Sequence, residues 1–205
     1  MNIGFALITS NPFFREFTNV ENEVHEICGF HNKLEQINNI PHTTLFQGTF
    51  ENNTDYVTIV NSIRDFFLSN AKDFELHFQK AVYIPQGWYF YTCAITDELQ
   101  MLHEYTLKQC KEHIILSEDR LNRNLEDLTK AQVEGIKNYG YRYSEKAFFP
   151  HITIGRTDGD KNEEYLELLN LKLSKLPKNV PIEKITVYRM GKDGMHAETL
   201  AEVYI

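Results

Sequence analysis

In "IPHTTLFQG" (residues 40–48) and "FFPHITIG" (residues 148–155), a histidine stands one residue after a proline, two before a threonine and three before an aliphatic side chain. Of the eight histidines, only His42 and His151 have this setting. Both stretches read as β-strands, in which residues i and i+2 share a face. His42 and Thr44 therefore point together, as do His151 and Thr153, while Thr43 and Ile152 point the other way. Imidazole titrates near neutral pH, so one neutral and one protonated ring can act as general base and general acid. A neighbouring threonine hydroxyl can donate a hydrogen bond to a phosphate oxygen. Two such pairs facing each other would hold a phosphodiester, one ring activating the attacking hydroxyl or water and the other protonating the leaving oxygen. That chemistry calls for no metal and no cofactor. A lone strand histidine is more often a core residue with its hydrogen bonds satisfied. The matched second copy is what favours a shared site.

The elements that must position these pairs follow from periodicity and breakers. "GFALIT" reads as a buried strand, and Asn11-Pro12 as a helix start. Phe14, Phe17, Val24, Ile27, Cys28, His31 and Leu34 then recur at helical spacing. "PHTTLFQGTF" is the first motif strand, "ENNTD" supplies a turn, and Val57, Val60, Ile63 and Phe67 mark a second helix. "FELHFQKAVYI" and "WYFYTCAI" form a hairpin around Pro85-Gln86-Gly87. The region 97–138 reads as two helices broken near Ser117, with Gly140 as a stop. "KAFFPHITIGR" is the second motif strand, "DGDKNEEYLELLNLKL" a turn into a helix, and "VPIEKITVYRM" a strand. Gly191-Lys192-Asp193-Gly194 makes a turn before the closing "ETLAEVYI". Each half thus reads β-α-β-α-β with a motif on its middle strand. The expected fold is α+β, bilobal and duplicated, with pseudo-two-fold symmetry around a central cleft. It is expected to form one domain, 1–205, with interleaved lobes and no linker.

Composition narrows the function classes. With 42% hydrophobic and 24% charged residues, the 205-residue chain has globular composition and enough length for a sizeable core. "MNIGFALITSNPFF" lacks the basic start and small-residue cleavage site of a signal peptide, and no run is long enough to span a membrane. Cys28, Cys93 and Cys110 suit buried free thiols in a reducing, cytoplasmic setting. At a net charge of −8, with only modest basic clusters such as "KLSKLPK" (172–178), long duplex nucleic acid is a poor partner. A nucleotide or short oligonucleotide in a cleft fits, with the protein a monomer. His103-Glu104 is not an HExxH motif because residue 107 is Leu, and "DGDKNEE" lacks EF-hand spacing, so no metal site is expected.

Substrate-binding candidates surround the motifs. Phe46 follows Thr44 by two residues and would share its face, as floor of the pocket or as core. Trp88, within "WYFY", could stack on a base, as could Tyr143 in the loop before the second motif; both also suit ordinary packing. Arg156 faces away from Thr153 by strict alternation, unless a bulge near Gly155 redirects it.

"PHTTL" and "PHITI", with the opening "NIGFALIT" and the terminal "KITVYRMG…LAEVYI", resemble the two-histidine phosphoesterase superfamily. "NYGYRYSEKAFFPHITIGR" is similar to its 2′-5′ RNA ligase-like, cyclic-phosphodiesterase branch. The resemblance implies a bilobal α+β fold and a metal-free site. In it, His42 and His151 would be the acid–base pair, Thr44 and Thr153 would bind phosphate, and Arg156 would match the arginine that follows the second motif. It implies substrates among cyclic nucleotides, cyclic oligonucleotides, 2′,3′-cyclic phosphates and 2′-5′ linkages. The long first helix and the 97–138 region depart from a minimal relative, so the substrate does not transfer. The expected activity is phosphodiester hydrolysis, in RNA processing or in removal of a signalling or defence nucleotide. The alternative is a catalytically silent nucleotide sensor using the same cleft.

Overall fold

The computed structural model describes residues 1–205 apart from 32, 36–37, 72–73, 117 and 122–124. Seven strands form one antiparallel sheet: β1 (Asn2–Thr9), β2 (Thr43–Thr49), β3 (Glu75–Ile84), β4 (Trp88–Cys93), β5 (His151–Arg156), β6 (Asn179–Met190) and β7 (His196–Tyr204). Their order is β1-β2-β5-β4-β3-β6-β7, and β1 also pairs with β6, so six strands close into a ring with β7 outside. Two seams divide that ring. β3 joins β6 only over Glu75–His77, and β2 joins β5 through the single pair Thr43↔Ile152. On one side lies β2-β1-β6-β7 and on the other β5-β4-β3, so β1 and β4 hold equivalent central positions. This is an α+β fold in which the third strand of each half crosses into the sheet of the other.

The helices repeat the exchange. α1 (Asn11–Cys28) and α6 (Glu163–Leu173) contact each other, and both cover the β3–β4 side. Phe13 stacks on Phe78, and Phe17 on Tyr91. α2 (Tyr56–Asn70) and α3 (Asp97–Cys110) contact each other and pack on β2, β6 and β7. Each sheet is therefore backed by one helix from each half. The apolar faces of these helices and the inward residues of the strands, among them Phe5, Leu7, Tyr89 and Tyr91, make one continuous core.

Local sequence sets the helix limits. Pro12 lies in the first turn of α1, and Thr96 caps α3 by accepting from the Leu99 N–H. α5 (Lys130–Tyr139) opens on a Thr129–Gln132 capping box and stops at Gly140. α1 stops at Cys28, not near Leu34, because Gly29 adopts the left-handed conformation at φ 63° and its N–H returns to His25. Leu34 still reaches the core, held by a bond from its N–H to Glu21 Oε2. Burial raises the Glu21 carboxyl pKa, an effect opposed by its 2.7 Å contact with His25 Nδ1 and by the Leu34 N–H.

The 97–138 region is likewise more broken than its periodicity predicts. α3 gives way to a 3₁₀ turn at Lys111–His113, and Ile114 pairs with Phe50 as an isolated bridge. A short α4 (Glu118–Leu121) and α5 follow. Ser117, the expected break point, lies outside the described residues. Cys28, Cys93 and Cys110 are buried free thiols, and no helix among the described residues is long and apolar enough to cross a membrane.

Candidate active site

The β2–β5 seam falls on the middle residues of both motifs. Thr43 and Ile152 point into the core, and His42 and Thr44 flank one side of the seam as His151 and Thr153 flank the other. The prolines explain how each imidazole is held. A residue before proline is pushed into extended conformation. The Ile40 carbonyl lies 2.7 Å from His42 Nδ1, and the Phe149 carbonyl 2.7 Å from His151 Nδ1. A carbonyl can only accept, so both Nδ1 atoms carry the proton and both Nε2 atoms keep a lone pair.

Burial lowers the pKa of each histidine to about 4, against the opposing pull of the carbonyl bond. The charge of His196 lowers His42 further. The charges of His42 and Arg142 do the same to His151, so the two site imidazoles sense each other. Both rings are neutral at neutral pH when the site is empty. A bound phosphate anion would raise both, and could charge one of them.

A β-bulge follows each motif. Ala6 pairs with Thr44 but Phe5 with Phe46, which leaves Leu45 as the extra residue. Phe90 pairs with Thr153 but Tyr89 with Gly155, which leaves Ile154 extra. The bulges fall at the same place, one residue after the threonine, and each reverses the alternation. Gln47 thus returns to the face of Thr44, and Arg156 to the face of Thr153. For Arg156 this is the redirection that strict alternation would deny it, placed at Ile154 instead of Gly155. For Phe46 the same device removes it from the site. It is fully buried on the opposite face, edge-on to Phe50, Tyr139 and Tyr141, so it is a core residue and not a pocket floor.

On the first side, Gln47, Gly4 and Tyr188 form a row across β2, β1 and β6. Gly4 allows the Tyr188 ring to lie flat across β1, since a Cβ there would fall 2.2 Å from Tyr188 Cζ. The buried phenol donates to His42 Nε2 at 3.0 Å and accepts from Gln47 Nε2 at 2.9 Å, and the nearby Thr44 side chain opposes the rise in its pKa. His196 stacks on the other end of the ring at 4.8 Å. Burial pushes the Tyr188 hydroxyl to about 12, so it stays protonated as a donor.

On the second side, the corresponding row is Arg156, Trp88 and Ile84 on β5, β4 and β3. Phe90 stacks on His151 at 3.8 Å, and Tyr143 and Phe149 enclose the same ring at 5.7 and 5.4 Å. His151 Nε2 makes no hydrogen bond among the described residues. The Arg156 guanidinium lies 5.1 Å from the Trp88 ring centre, donates to the Gln86 carbonyl at 3.1 Å and pairs with Asp193 at 3.0 Å. Asp193 sits on the β6–β7 turn, so that pair spans the two sheet sides.

His42, Thr153, Trp88 and Arg156 line one recess, enclosed by Ile40 and Met195, with about 40 Å³ inside, room for only a few waters. Thr44 and His151 flank this recess without lining it, and Tyr143 lines a second cavity beyond His151. Gln47, Tyr188, Asp193 and His196 were not singled out by motif reading, and Phe90 stood out only as part of the "WYFY" run. Gln47 had a signal, because it stands five residues after His42 as Arg156 stands five after His151. Among the described residues, no three His, Cys, Asp or Glu side chains gather to hold a metal ion.

Comparison with known proteins adds little. No family model and no curated protein matches the chain. A solved structure described as "Crystal structure of phosphoesterase" is similar over 100% of this chain and 98% of that one, with a TM-score of 0.43 and 9% sequence identity. A likeness of that size assigns no activity.

Proposed function

We propose that this chain is a metal-independent phosphodiesterase that cleaves a nucleotide phosphodiester between His42 and His151. The observation that carries the reading is that two His-x-Thr strands abut at Thr43 and Ile152, with both imidazoles locked in the same Nδ1-protonated tautomer. In the reaction, one neutral Nε2 takes the proton of the attacking hydroxyl or water as the new P–O bond forms. The other ring, charged once the phosphate anion is bound, gives its proton to the oxygen that leaves as the old P–O bond breaks. Thr44, Thr153 and Arg156 hold the non-bridging oxygens, Arg156 exchanging Asp193 for the phosphate. Substrate classes compatible with this chemistry are 2′,3′-cyclic phosphates, cyclic nucleotides, cyclic oligonucleotides and 2′-5′ linkages.

The test is a panel of those compounds with products identified by mass, in the presence and absence of a chelator. Turnover of at least one compound, unaffected by the chelator, supports the reading. No turnover of any, or activity that vanishes with the chelator, sinks it. One observation favours a binding protein without turnover: Tyr188 already occupies the lone pair of His42. Recovery of intact ligand after long incubation, with measurable affinity, would select that alternative.

A further inference from the structure

We propose that a second cavity, on the far side of His151, is a subsite for a further nucleotide unit, so that the preferred ligand is an oligonucleotide of two or more units. This rests on the phosphodiesterase reading. The cavity has about 440 Å³ of space, against about 40 Å³ in the recess beside His42. That places it within the roughly 300–1,000 Å³ typical of small-molecule sites. The enclosed part of the recess is too small for a whole nucleoside, so a second subsite would take what extends beyond it.

The position of the cavity ties it to the chemistry. Tyr143 and Phe149 line it, and the same two rings enclose His151 at 5.7 and 5.4 Å. A ligand seated there ends one aromatic layer from the imidazole. Gln86, on the β3–β4 turn, lines the cavity as well, and its carbonyl accepts from Arg156 of the recess. One turn therefore borders both spaces.

The lining suits a base and a phosphate. Half-buried Phe149 offers a ring for stacking, worth about 1–3 kcal/mol per base in single-strand binders. Arg142 lies 4.7 Å from the centre of the Tyr143 ring, and Lys146 stands on the exposed rim. Neither makes an ion pair among the described residues. Among the described residues the one carboxylate in the lining is exposed Asp127, so the two cations outnumber it on a chain of net charge −8. The charge of Arg142 also reaches His151 and lowers its pKa, so an anion placed by Arg142 would be felt at the imidazole.

The experiment is calorimetric binding to the His42→Ala protein, which separates occupancy from turnover. The probes are adenosine 5′-monophosphate and two- and three-unit oligoadenylates in 3′–5′ and 2′–5′ linkage. At least one oligoadenylate should bind about tenfold more tightly than the monophosphate, the equivalent of one stacked base. That advantage should shrink to about twofold or less in Arg142→Ala and in Ala131→Trp, which fills the cavity from the start of α5. No oligoadenylate advantage, an advantage that survives both variants, or no binding at all overturns the subsite. Hydrolysis by the wild-type protein with an advantage insensitive to both variants leaves the proposed function standing while the subsite fails. Cavity-dependent binding without hydrolysis does the reverse.

Discussion

The two sides of the site share a backbone plan and differ in what surrounds the imidazole. Both have proline before histidine, a carbonyl on Nδ1, a bulge after the threonine and a long polar side chain beyond it. The central strands make the difference. β1 presents Gly4 and Ala6 to the site face, and the space they leave admits the Tyr188 ring from β6. β4 presents Trp88 and Phe90 in the same places, and those rings fill the space themselves. His42 therefore sits in a polar hub with its Nε2 engaged, and His151 in an aromatic stack with its Nε2 without a partner among the described residues. An acid and a base at one phosphate need unlike environments, and a duplicated fold can supply them by changing two residues on each central strand.

The largest effect should come from the imidazoles. His42→Ala and His151→Ala should each lower kcat by about 10²–10⁴-fold, as expected for a lost general acid or base. Because the two act on one proton circuit, the double variant should be little worse than either single one. Steady-state kinetics on the best substrate from the panel measures this. If either single variant stays within a few-fold of wild type, the two sides are not one site.

Next in size is a structural histidine that ties the first-side bulge to the segment before the second motif. His103 is fully buried, donates from Nδ1 to the carbonyl of bulge residue Leu45 at 2.7 Å, and accepts from the Glu145 N–H at 2.9 Å. It also stacks on Phe148 at 3.9 Å. His103→Phe keeps the ring and strands the buried Leu45 carbonyl, at about 1–3 kcal/mol, and the part-buried Glu145 N–H at less. Burial lowers its pKa to about 4 from an ordinary 6.5, so the folded state binds fewer protons than the unfolded chain between those values. Stability from this group is complete above pH 6.5 and falls as pH drops towards 4, by up to ~3 kcal/mol. Denaturant melts from pH 7.5 to 4.5 should show a smaller acid loss in His103→Phe than in wild type. Equal acid loss in both would remove His103 from the account.

The β-α-β-α-β order in each half was legible because strand and helix periodicities alternate cleanly and Pro12 and Gly140 mark boundaries. That the two motif strands lie side by side was legible from repeated spacing. The bulge in "TLFQ" was not, since nothing there announces an extra residue, which is why Phe46 was misplaced; the one in "TIGR" was open only as an alternative at Gly155, one residue from where it falls. Tyr188 was hidden for a different reason. Its role depends on a glycine in β1 and a glutamine in β2, more than 140 positions away in sequence, and only the sheet register brings the three together. Gly29 alone could have corrected the overlong first helix.

Tyr188→Phe sharpens the comparison directly. The phenol donates to the neutral form of His42, so its loss should raise the His42 pKa and move the limb of the pH–rate profile that His42 controls to higher pH. The rate at the optimum should fall about tenfold, the upper scale of one neutral hydrogen bond. Gly4→Ala should act in the same direction, because its methyl group would displace the ring. A profile identical to wild type in Tyr188→Phe would show that the polar hub does not tune His42.

The smallest effects separate the threonines. Each removes one hydrogen bond to a phosphate oxygen, worth about 0.5–1.5 kcal/mol, so Thr44→Ala and Thr153→Ala should each cost about two- to tenfold in kcat/KM. Their surroundings differ, however. Thr44 lies near the Tyr188 phenol and acts on its pKa, whereas the Thr153 hydroxyl has no side-chain partner among the described residues and faces the recess. Thr44→Ala should therefore also loosen the phenol, shift the pH profile in the sense of Tyr188→Phe, and combine non-additively with it. Thr153→Ala should leave the profile in place and add to Tyr188→Phe independently. Two double-mutant cycles measured at several pH values decide the matter. Equal coupling of both threonines to Tyr188 would mean that the hub extends across the seam and that the two sides are tuned as one.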